Sequence, residues 1–243
     1  MTLMEPAIHN QDSLAFVYDS SLLDSPGAEY FSLDFWRSRQ ALAGEAVGRG
    51  TAWFIDAPLG PVVLRHYLRG GWAAKISERR YFFTTISRSR PFREFDLLSR
   101  LFQMGLPVPR PVAALCEFQG LTSTGAILTM RIESARTLAD VLPGNETAVD
   151  LDDGFWEGVG TCIRRFHEAG VWHADLNARN ILLDAELNVF LIDFDRARFS
   201  PGEAVKGQSN LNRLKRSLLK LWPAETSSGM DSAWLHLEAG YHG

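Results

Sequence analysis

Residues 171–198 read VWHADLNARNILLDAELNVFLIDFDRAR and contain two carboxylates and an amide at a distinctive spacing. Asn180 lies five residues after Asp175, and Asp193 lies thirteen residues after Asn180, behind the apolar run 189–192. A loop, a short hairpin and a second loop would bring these three side chains together. The spacing therefore predicts a single polar site formed by Asp175, Asn180 and Asp193.

The three side chains have the chemistry that phosphoryl transfer requires. Transfer of a γ-phosphoryl group to a hydroxyl needs neutralised phosphate charge, in-line positioning and a carboxylate that accepts the hydroxyl proton. Asp175 is the candidate proton acceptor, and Asn180 and Asp193 are candidate ligands of Mg2+, which prefers oxygen ligands and keeps several waters. Single Asp and Asn residues are more often turn and capping residues. The combination of HxDLxxxN with IDFD instead favours a magnesium-dependent phosphotransferase.

The same segments carry a family resemblance. HADLNARN and LIDFD resemble the catalytic loop and the metal-binding motif of protein-kinase-like phosphotransferases. The wider set RHYLRGGW, GLPVPRPVAA, HADLNARNILLD and IDFDRAR resembles the 3-deoxy-D-manno-octulosonic acid (Kdo) kinases of the lipopolysaccharide kinase family. This resemblance implies ATP-dependent phosphorylation of the 4-hydroxyl of Kdo in Kdo-lipid A, at the cytoplasmic face of a Gram-negative inner membrane. Asp195 stands where most protein kinases have the glycine of DFG.

The expected fold is α+β, with the two lobes of a protein-kinase-like protein and ATP between them. Residues 1–132 would form a nucleotide-binding N-lobe with an antiparallel sheet and one long helix. The apolar residues in 91–104 recur at helical spacing and predict this helix there. Residues 133–243 would form a small helical C-lobe with the catalytic and metal-binding loops. Its first long helix is predicted over 151–169, ended by Gly170.

Candidate phosphate-binding residues lie in the predicted N-lobe. Gly48 and Gly50 belong to GRGTAWFI, where small residues would let backbone N–H groups approach phosphates, although a lone GxG is more typical of an ordinary hairpin. By the resemblance, Arg65 in VVLR occupies the position of the phosphate-binding lysine of protein kinases, and Lys75 is the alternative cation. Glu94, beside the apolar stripe of the predicted helix, matches the glutamate that pairs with that cation.

Three further residues are candidates by their position in the chain. Met130 and Ile132 lie where the two lobes would join, so their backbone groups would meet adenine. Arg179 in the catalytic loop could reach the transferred phosphate or could be an ordinary solvent-exposed cation.

Charge is distributed unevenly along the chain. The net charge is −4, yet residues 65–110 contain ten cations and three acids. A second cationic stretch, 206–222, has leucines at helical spacing and no acid. ATP and an anionic membrane surface are the partners that such segments favour, although a solvated helix face remains an alternative. No nucleic-acid-binding motif and no obligate protein partner is indicated.

Composition bounds the remaining possibilities. The chain has 243 residues, 46% of them hydrophobic, and its two cysteines are expected to be core residues of a reduced protein. No run of about 18 apolar residues and no cationic leader is evident, so a cytosolic or peripheral membrane location is expected. A heptose-directed lipopolysaccharide kinase, a kinase for an aminoglycoside or choline-like alcohol, and a pseudokinase binding module remain as alternatives. A pseudokinase should lack one of Asp175, Asn180 and Asp193, and this chain has all three.

Overall fold

The computed structural model describes residues 4–46, 52–71, 88–119, 122–223 and 227–243. The predicted phosphate-binding residues Gly48, Gly50 and Lys75 lie outside these residues. The chain divides into two compact units. Unit 1 comprises Met1–Met104 and Pro109–Arg131, and unit 2 comprises Gly105–Val108 and Ile132–Gly243.

Unit 1 is built on a seven-stranded sheet in which all neighbouring strands are antiparallel, as predicted for the first lobe. The strand order is β1-β2-β6-β7-β5-β4-β3. The strands are β1 (Pro6–Gln11), β2 (Leu14–Asp19), β3 (Leu42–Ala46), β4 (Ala52–Ala57), β5 (Gly60–Gly71), β6 (Pro111–Gln119) and β7 (Thr122–Met130).

Two α-helices of unit 1 are described, α1 (Leu33–Ser38) and α2 (Arg90–Gln103), together with a 3-10 turn at Ala28–Phe31. Helix α2 confirms the helix predicted from the apolar spacing, and it packs against β6 and β7. Its start lies so close to β7 that a Cβ on Gly125 would collide with the Pro91 ring and with the carbonyl oxygen of Leu115. Glycine at this position therefore allows the helix to rest on the sheet.

A buried ion pair fixes the end of β2 to the start of β6. Asp19 is fully buried, and its Oδ2 accepts a hydrogen bond of 3.0 Å from Nε of Arg110. Burial alone would raise the pKa of this carboxyl, but hydrogen bonds from Glu5, Arg110 and Ser21 outweigh burial and lower the pKa from 3.8. The folded state therefore binds this proton less tightly than the unfolded state does.

We expect acid to destabilise unit 1 through this carboxyl. Because the folded pKa is depressed, the stabilising contribution is present above pH 3.8 and is lost as the pH falls through the folded pKa. Asp19→Asn should lower the free energy of unfolding at pH 7 by about 2 kcal/mol. Urea titrations at pH 7 and pH 3 should show a smaller pH dependence for the variant than for the wild type; equal pH dependence would exclude Asp19 as its source.

Unit 2 contains most of the described helices. They are α3 (Leu138–Val141), α4 (Asp153–Glu168), α5 (Gln208–Leu221) and α6 (Ser227–His242), with a 3-10 turn at Ala178–Asn180. The strands are short and form the sheets β11-β10-β8 and β12-β9. They are β8 (Arg136–Thr137), β9 (Val171–Trp172), β10 (Ile181–Leu183), β11 (Val189–Leu191) and β12 (Arg198–Phe199).

Helix α4 leads the chain into the segment with the candidate catalytic residues. The Asp152 side chain caps its first turn by accepting a 2.7 Å hydrogen bond from the N–H of Phe155. Gly170 follows its end with φ +87°, and a Cβ there would collide with the carbonyl oxygen of Ser200. The tight turn at Gly170 thus places β9 directly after the helix, as the sequence predicted.

Both cysteines lie in the interior, as predicted. Burial raises the pKa of Cys116 to about 11 and the pKa of Cys162 to about 12. Neither thiol is therefore a nucleophile near neutral pH.

Candidate active site

The predicted loop, hairpin and second loop are present in unit 2. Strands β10 and β11 pair in antiparallel fashion, with Asp175 and Asn180 before the hairpin and Asp193 after it. The Asn180 side chain donates a 2.8 Å hydrogen bond from Nδ2 to the backbone oxygen of Asp175. The backbone oxygen of Asn180 accepts one of 3.1 Å from the N–H of Ile192, the residue before Asp193. The first bond closes the loop that contains Asp175 and Asn180, and the second connects this loop to the loop of Asp193.

His173 provides a second connection between these loops. Its Nε2 lies 2.9 Å from the backbone oxygen of Ile192, and its Nδ1 accepts a 3.1 Å hydrogen bond from the N–H of Asp175. A carbonyl oxygen only accepts, so Nε2 carries the proton and Nδ1 carries none. Burial lowers the pKa of His173, which keeps the ring in this neutral form. His173 therefore connects the two loops through both of its ring nitrogens.

Asp193 is held in an uncommon backbone conformation. Its φ is +66°, in the left-handed region that Asp and Asn tolerate better than most side chains. The next residue, Phe194, is buried and contacts the rings of Phe166 and His173 at centroid distances of 5.8 and 5.0 Å. Since both neighbours of Asp193 are anchored, the position of its backbone is fixed.

The side chains of Asn180 and Asp193 fit a hard divalent cation by their chemistry. Because Nδ2 of Asn180 is occupied by Asp175, Oδ1 is the end of the carboxamide that would face an ion. Among the residues that the structure describes, no group of three or more His, Cys, Asp or Glu side chains is placed to bind a metal. A sparse set of one amide and one carboxylate is what Mg2+ completes with water and phosphate oxygens.

Helix α5 contacts the loop that contains His173 and Asp175 and supports it. Asn210, fully buried, donates from Nδ2 to the backbone oxygen of His173 at 2.6 Å and accepts from the His173 N–H at 3.1 Å. Its Oδ1 also lies 3.0 Å from Nε2 of His167, whose Nδ1 lies 2.8 Å from the hydroxyl of Tyr241. His167 is therefore held in the interior of unit 2 by contacts of both ring nitrogens.

The sequence prediction missed one charged neighbour of Asp175. Arg213, in the next turn of α5 after Asn210, places Nη1 3.0 Å from Oδ1 of Asp175. Nearby, Ser217 Oγ accepts a 3.2 Å hydrogen bond from the N–H of Ala178 in the catalytic loop. Arg213 follows Asp175 by 38 residues, and no local motif marks it.

In unit 1, the structure brings together Arg65 on β5 and Glu94 on α2. The carboxylate of Glu94 is buried, and it contacts the guanidinium of Arg65 and the hydroxyl of Tyr67. Burial, followed by the negative charge of Glu94, raises the pKa of Tyr67 well above its usual value. The predicted pairing of Glu94 with a strand cation is thus observed for Arg65. The phosphate-binding role of this cation remains a prediction, and the alternative, Lys75, lies outside the described residues.

The remaining candidates differ in what their backbone groups can offer. The N–H of Met130 donates to Arg110 at 2.8 Å, and the N–H of Arg131 donates to Pro61 at 2.9 Å. Of the two residues predicted to meet adenine, Met130 therefore has its N–H occupied within unit 1. Arg179 is exposed, and its N–H donates 2.9 Å to Oδ1 of Asn177, which shapes the 3-10 turn. These two roles remain predictions.

Two features define a protein-kinase-like phosphotransferase. One is the antiparallel sheet with its Arg65–Glu94 pair, and the other is the contact between the loops of the HADLNARN and LIDFD motifs. The sequence model of the lipopolysaccharide kinase (Kdo/WaaP) family matches residues 33–241, and the chain belongs to this family.

Curated relatives cover nearly the whole chain. The chain is 44% identical over 227 residues to a 3-deoxy-D-manno-octulosonic acid kinase of Stenotrophomonas maltophilia strain R551-3. It is 43% identical to the enzyme of the same name from Xanthomonas euvesicatoria pv. vesicatoria and 42% identical to that of Xanthomonas campestris pv. campestris strain B100. Each alignment spans 93% of this chain and 89% of the relative.

Proposed function

We propose that this chain is an ATP-dependent kinase that acts on a Kdo-containing glycolipid of the lipopolysaccharide core. Its acceptor is Kdo-lipid A, and it phosphorylates the 4-hydroxyl of the Kdo residue. The observation that carries the proposal is the 44% identity to a Kdo kinase over 93% of the chain. The geometry of unit 2 supports it, because Asp175, Asn180 and Asp193 lie on loops connected by hydrogen bonds.

The reaction assigns one task to each residue. The hydroxyl oxygen of the acceptor forms a bond to the γ-phosphorus of ATP, the bond to the bridging β–γ oxygen breaks, and ADP leaves with that electron pair. The hydroxyl proton passes to the carboxylate of Asp175. Mg2+, held by Asn180 and Asp193, would neutralise the phosphate charge. Arg65, held by Glu94, and Arg179 are the cations in the described residues that we assign to phosphate groups.

Mass spectrometry of the acceptor tests the proposal. Purified protein, ATP and Mg2+ should add one phosphate to Kdo-lipid A, and fragmentation should place that phosphate on the Kdo residue. Phosphate found only on heptose of a longer core, or turnover only with a soluble alcohol, would establish one of the alternative kinase functions. ATP binding without transfer to any of these acceptors would establish a pseudokinase.

We further propose that the exposed side of α5 lies on the anionic inner-membrane surface where such a glycolipid acceptor resides. No helix in the described part of the chain is long and apolar enough to span a bilayer. Two cations of α5 are engaged within the protein, Arg213 with Asp175 and Lys215 with the ring of Trp234. The exposed cations of this helix that we assign to the membrane surface are therefore Arg216 and Lys220, which lie beside Leu219. Leu219 is itself 56% exposed.

The segment 65–110 is a weaker membrane candidate than its charge suggests. Among its described residues, Arg65 pairs with Glu94, Arg100 with Asp96 and Arg110 with Asp19, all within unit 1. The sequence count could not separate these paired cations from cations that face solvent.

Vesicle sedimentation tests the α5 surface. The double variant Arg216→Glu/Lys220→Glu should bind vesicles containing phosphatidylglycerol at least about tenfold more weakly than the wild type, since each cation near such a surface contributes about 1 kcal/mol. Arg37→Glu/Arg100→Glu makes the same charge change at exposed positions of α1 and α2 and should bind as the wild type does. Equal weakening by both double variants would show that net charge, and not this surface, governs binding.

A further inference from the structure

The contact between Arg213 and Asp175 has no role in the reaction described above. Nη1 of Arg213 lies 3.0 Å from Oδ1 of Asp175, and the two side chains are each 46% exposed. Helix α5 is anchored beneath this contact by the buried side chains of Leu211, Leu214 and Leu218. The guanidinium is thus presented beside the proposed catalytic base on a fixed element, with part of its surface open to a ligand.

A guanidinium has five N–H donors in a planar fork that matches a carboxylate. Asp175 Oδ1 accepts from Nη1 in this structure. An arginine that served only to orient Asp175 would not need to remain half exposed. Arg213 is thus a partly exposed cation in direct contact with the proposed base, beside which the acceptor must bind.

The proposed acceptor carries an anion close to the reacting hydroxyl. Kdo is a sugar acid whose carboxylate is attached to C2, and C2 is separated from C4 by a single methylene carbon. A sugar that presents its 4-hydroxyl to Asp175 therefore brings its own carboxylate near a second negative charge. Two carboxylates at such a distance repel each other unless a cation lies between or beside them.

We propose that Arg213 binds the carboxylate of the acceptor sugar while its Nη1 holds Asp175 in position. This inference rests on the proposed function, since it presumes a sugar-acid acceptor. Arg213 would then determine specificity: it offsets the charge of a sugar acid and leaves a neutral sugar with fewer contacts. The acceptor carboxylate is bound in charge-assisted hydrogen bonds, the strong class of such bonds.

A cycle of two enzymes and two acceptors tests this inference. The acceptors are Kdo-lipid A and its carboxyl methyl ester, and the enzymes are the wild type and Arg213→Ala, each in detergent micelles. For the wild type, esterification should lower kcat/KM by about 30-fold, the loss expected for charge-assisted hydrogen bonds. For Arg213→Ala, kcat/KM for the acid should fall by a similar factor, and the acid and ester should differ by no more than about threefold.

Four further measurements separate binding of the acceptor from other roles. The KM for ATP should change by less than about threefold in Arg213→Ala, because the nucleotide is not the anion in question. Arg213→Lys, which keeps the charge and loses the fork, should recover part of the preference for the acid. Arg164→Ala removes an arginine of α4 that pairs with Glu168, and it should behave as the wild type does. Thermal melting of each variant reports whether the fold is retained.

The outcomes are distinct. If Arg213→Ala preferred the acid over the ester as strongly as the wild type does, Arg213 would not bind the carboxylate. An equal loss on both acceptors together with a raised KM for ATP would assign Arg213 to the nucleotide phosphates. If the wild type phosphorylated neither Kdo acceptor, the proposed function itself would fail, whatever the behaviour of the variants.

Discussion

The Asp193→Asn variant is expected to keep its fold and to lose at least about 10³-fold in kcat, because one of two proposed magnesium ligands loses its charge. Asn is the informative replacement, since it has nearly the same shape and tolerates the φ of +66° at this position. An alanine here would add backbone strain to the loss of the ligand. The flanking anchors, the hydrogen bond of Ile192 to His173 and the buried ring of Phe194, are unaffected by either change.

Steady-state kinetics with a magnesium titration measures this effect. The variant should require a higher Mg2+ concentration for its residual turnover, whereas melting temperature should stay near that of the wild type. Asp195→Asn is the matched control, since it makes the same change two residues later in IDFD. If Asp195→Asn were inactive and Asp193→Asn active, the proposed ligand would be the wrong aspartate of the motif.

The parts of the molecule that local pattern determines were predictable. Helix α2 follows from apolar residues three and four apart, and the β10–β11 hairpin follows from two apolar runs around a polar turn. Glu94 lies beside that apolar stripe, the resemblance to protein kinases implied its pairing with a strand cation, and in the structure its carboxylate is buried against Arg65. In each case the periodicity of the element fixes which side chains face inward.

Contacts of α5 with the catalytic loop could not be predicted in the same way. The leucine spacing predicted an amphipathic helix with cations on its other side, but not the element against which the helix would pack. Asn210 meets His173 across 37 residues, and Arg213 meets Asp175 across 38. Such pairs depend on the rotation of one helix about its axis, which buried leucines determine only once their partners are known.

The division of the chain into two units was also not fully predictable from the sequence. A single boundary near residue 132 was predicted, whereas Gly105–Val108 belong to unit 2 although unit 1 continues from Pro109 to Arg131. Hydrogen bonds explain the difference: Leu191 donates to Pro107 at 3.0 Å, and Arg165 donates to Gly105 at 2.9 Å. The turn after α2 thus pairs with residues that lie some 60 to 80 positions later in the chain, and no local composition change signals this pairing.

The Asp175→Asn variant is expected to lose about 10³-fold in kcat with little change in the KM for ATP, because general-base catalysis contributes 10²–10⁴-fold and the amide cannot accept the proton. The fold should be retained. Three hydrogen bonds that fix this residue in the loop use its backbone atoms, so the substitution preserves them: the N–H donates to Nδ1 of His173, and the carbonyl oxygen accepts from Asn177 and Asn180.

The contact between Arg213 and Asp175 allows a second test of this prediction, because Asp175→Asn removes the negative charge that pairs with Arg213. At saturating Kdo-lipid A, where binding of the acceptor carboxylate no longer limits the rate, Asp175→Asn/Arg213→Ala should be little slower than Asp175→Asn alone if Arg213 otherwise acts through the base. Single-turnover measurements with Kdo-lipid A, at saturating ATP, compare the four enzymes directly. Turnover of Asp175→Asn within tenfold of the wild type would assign the proton to another acceptor, and full additivity of the two losses would mean that Arg213 contributes independently of the base.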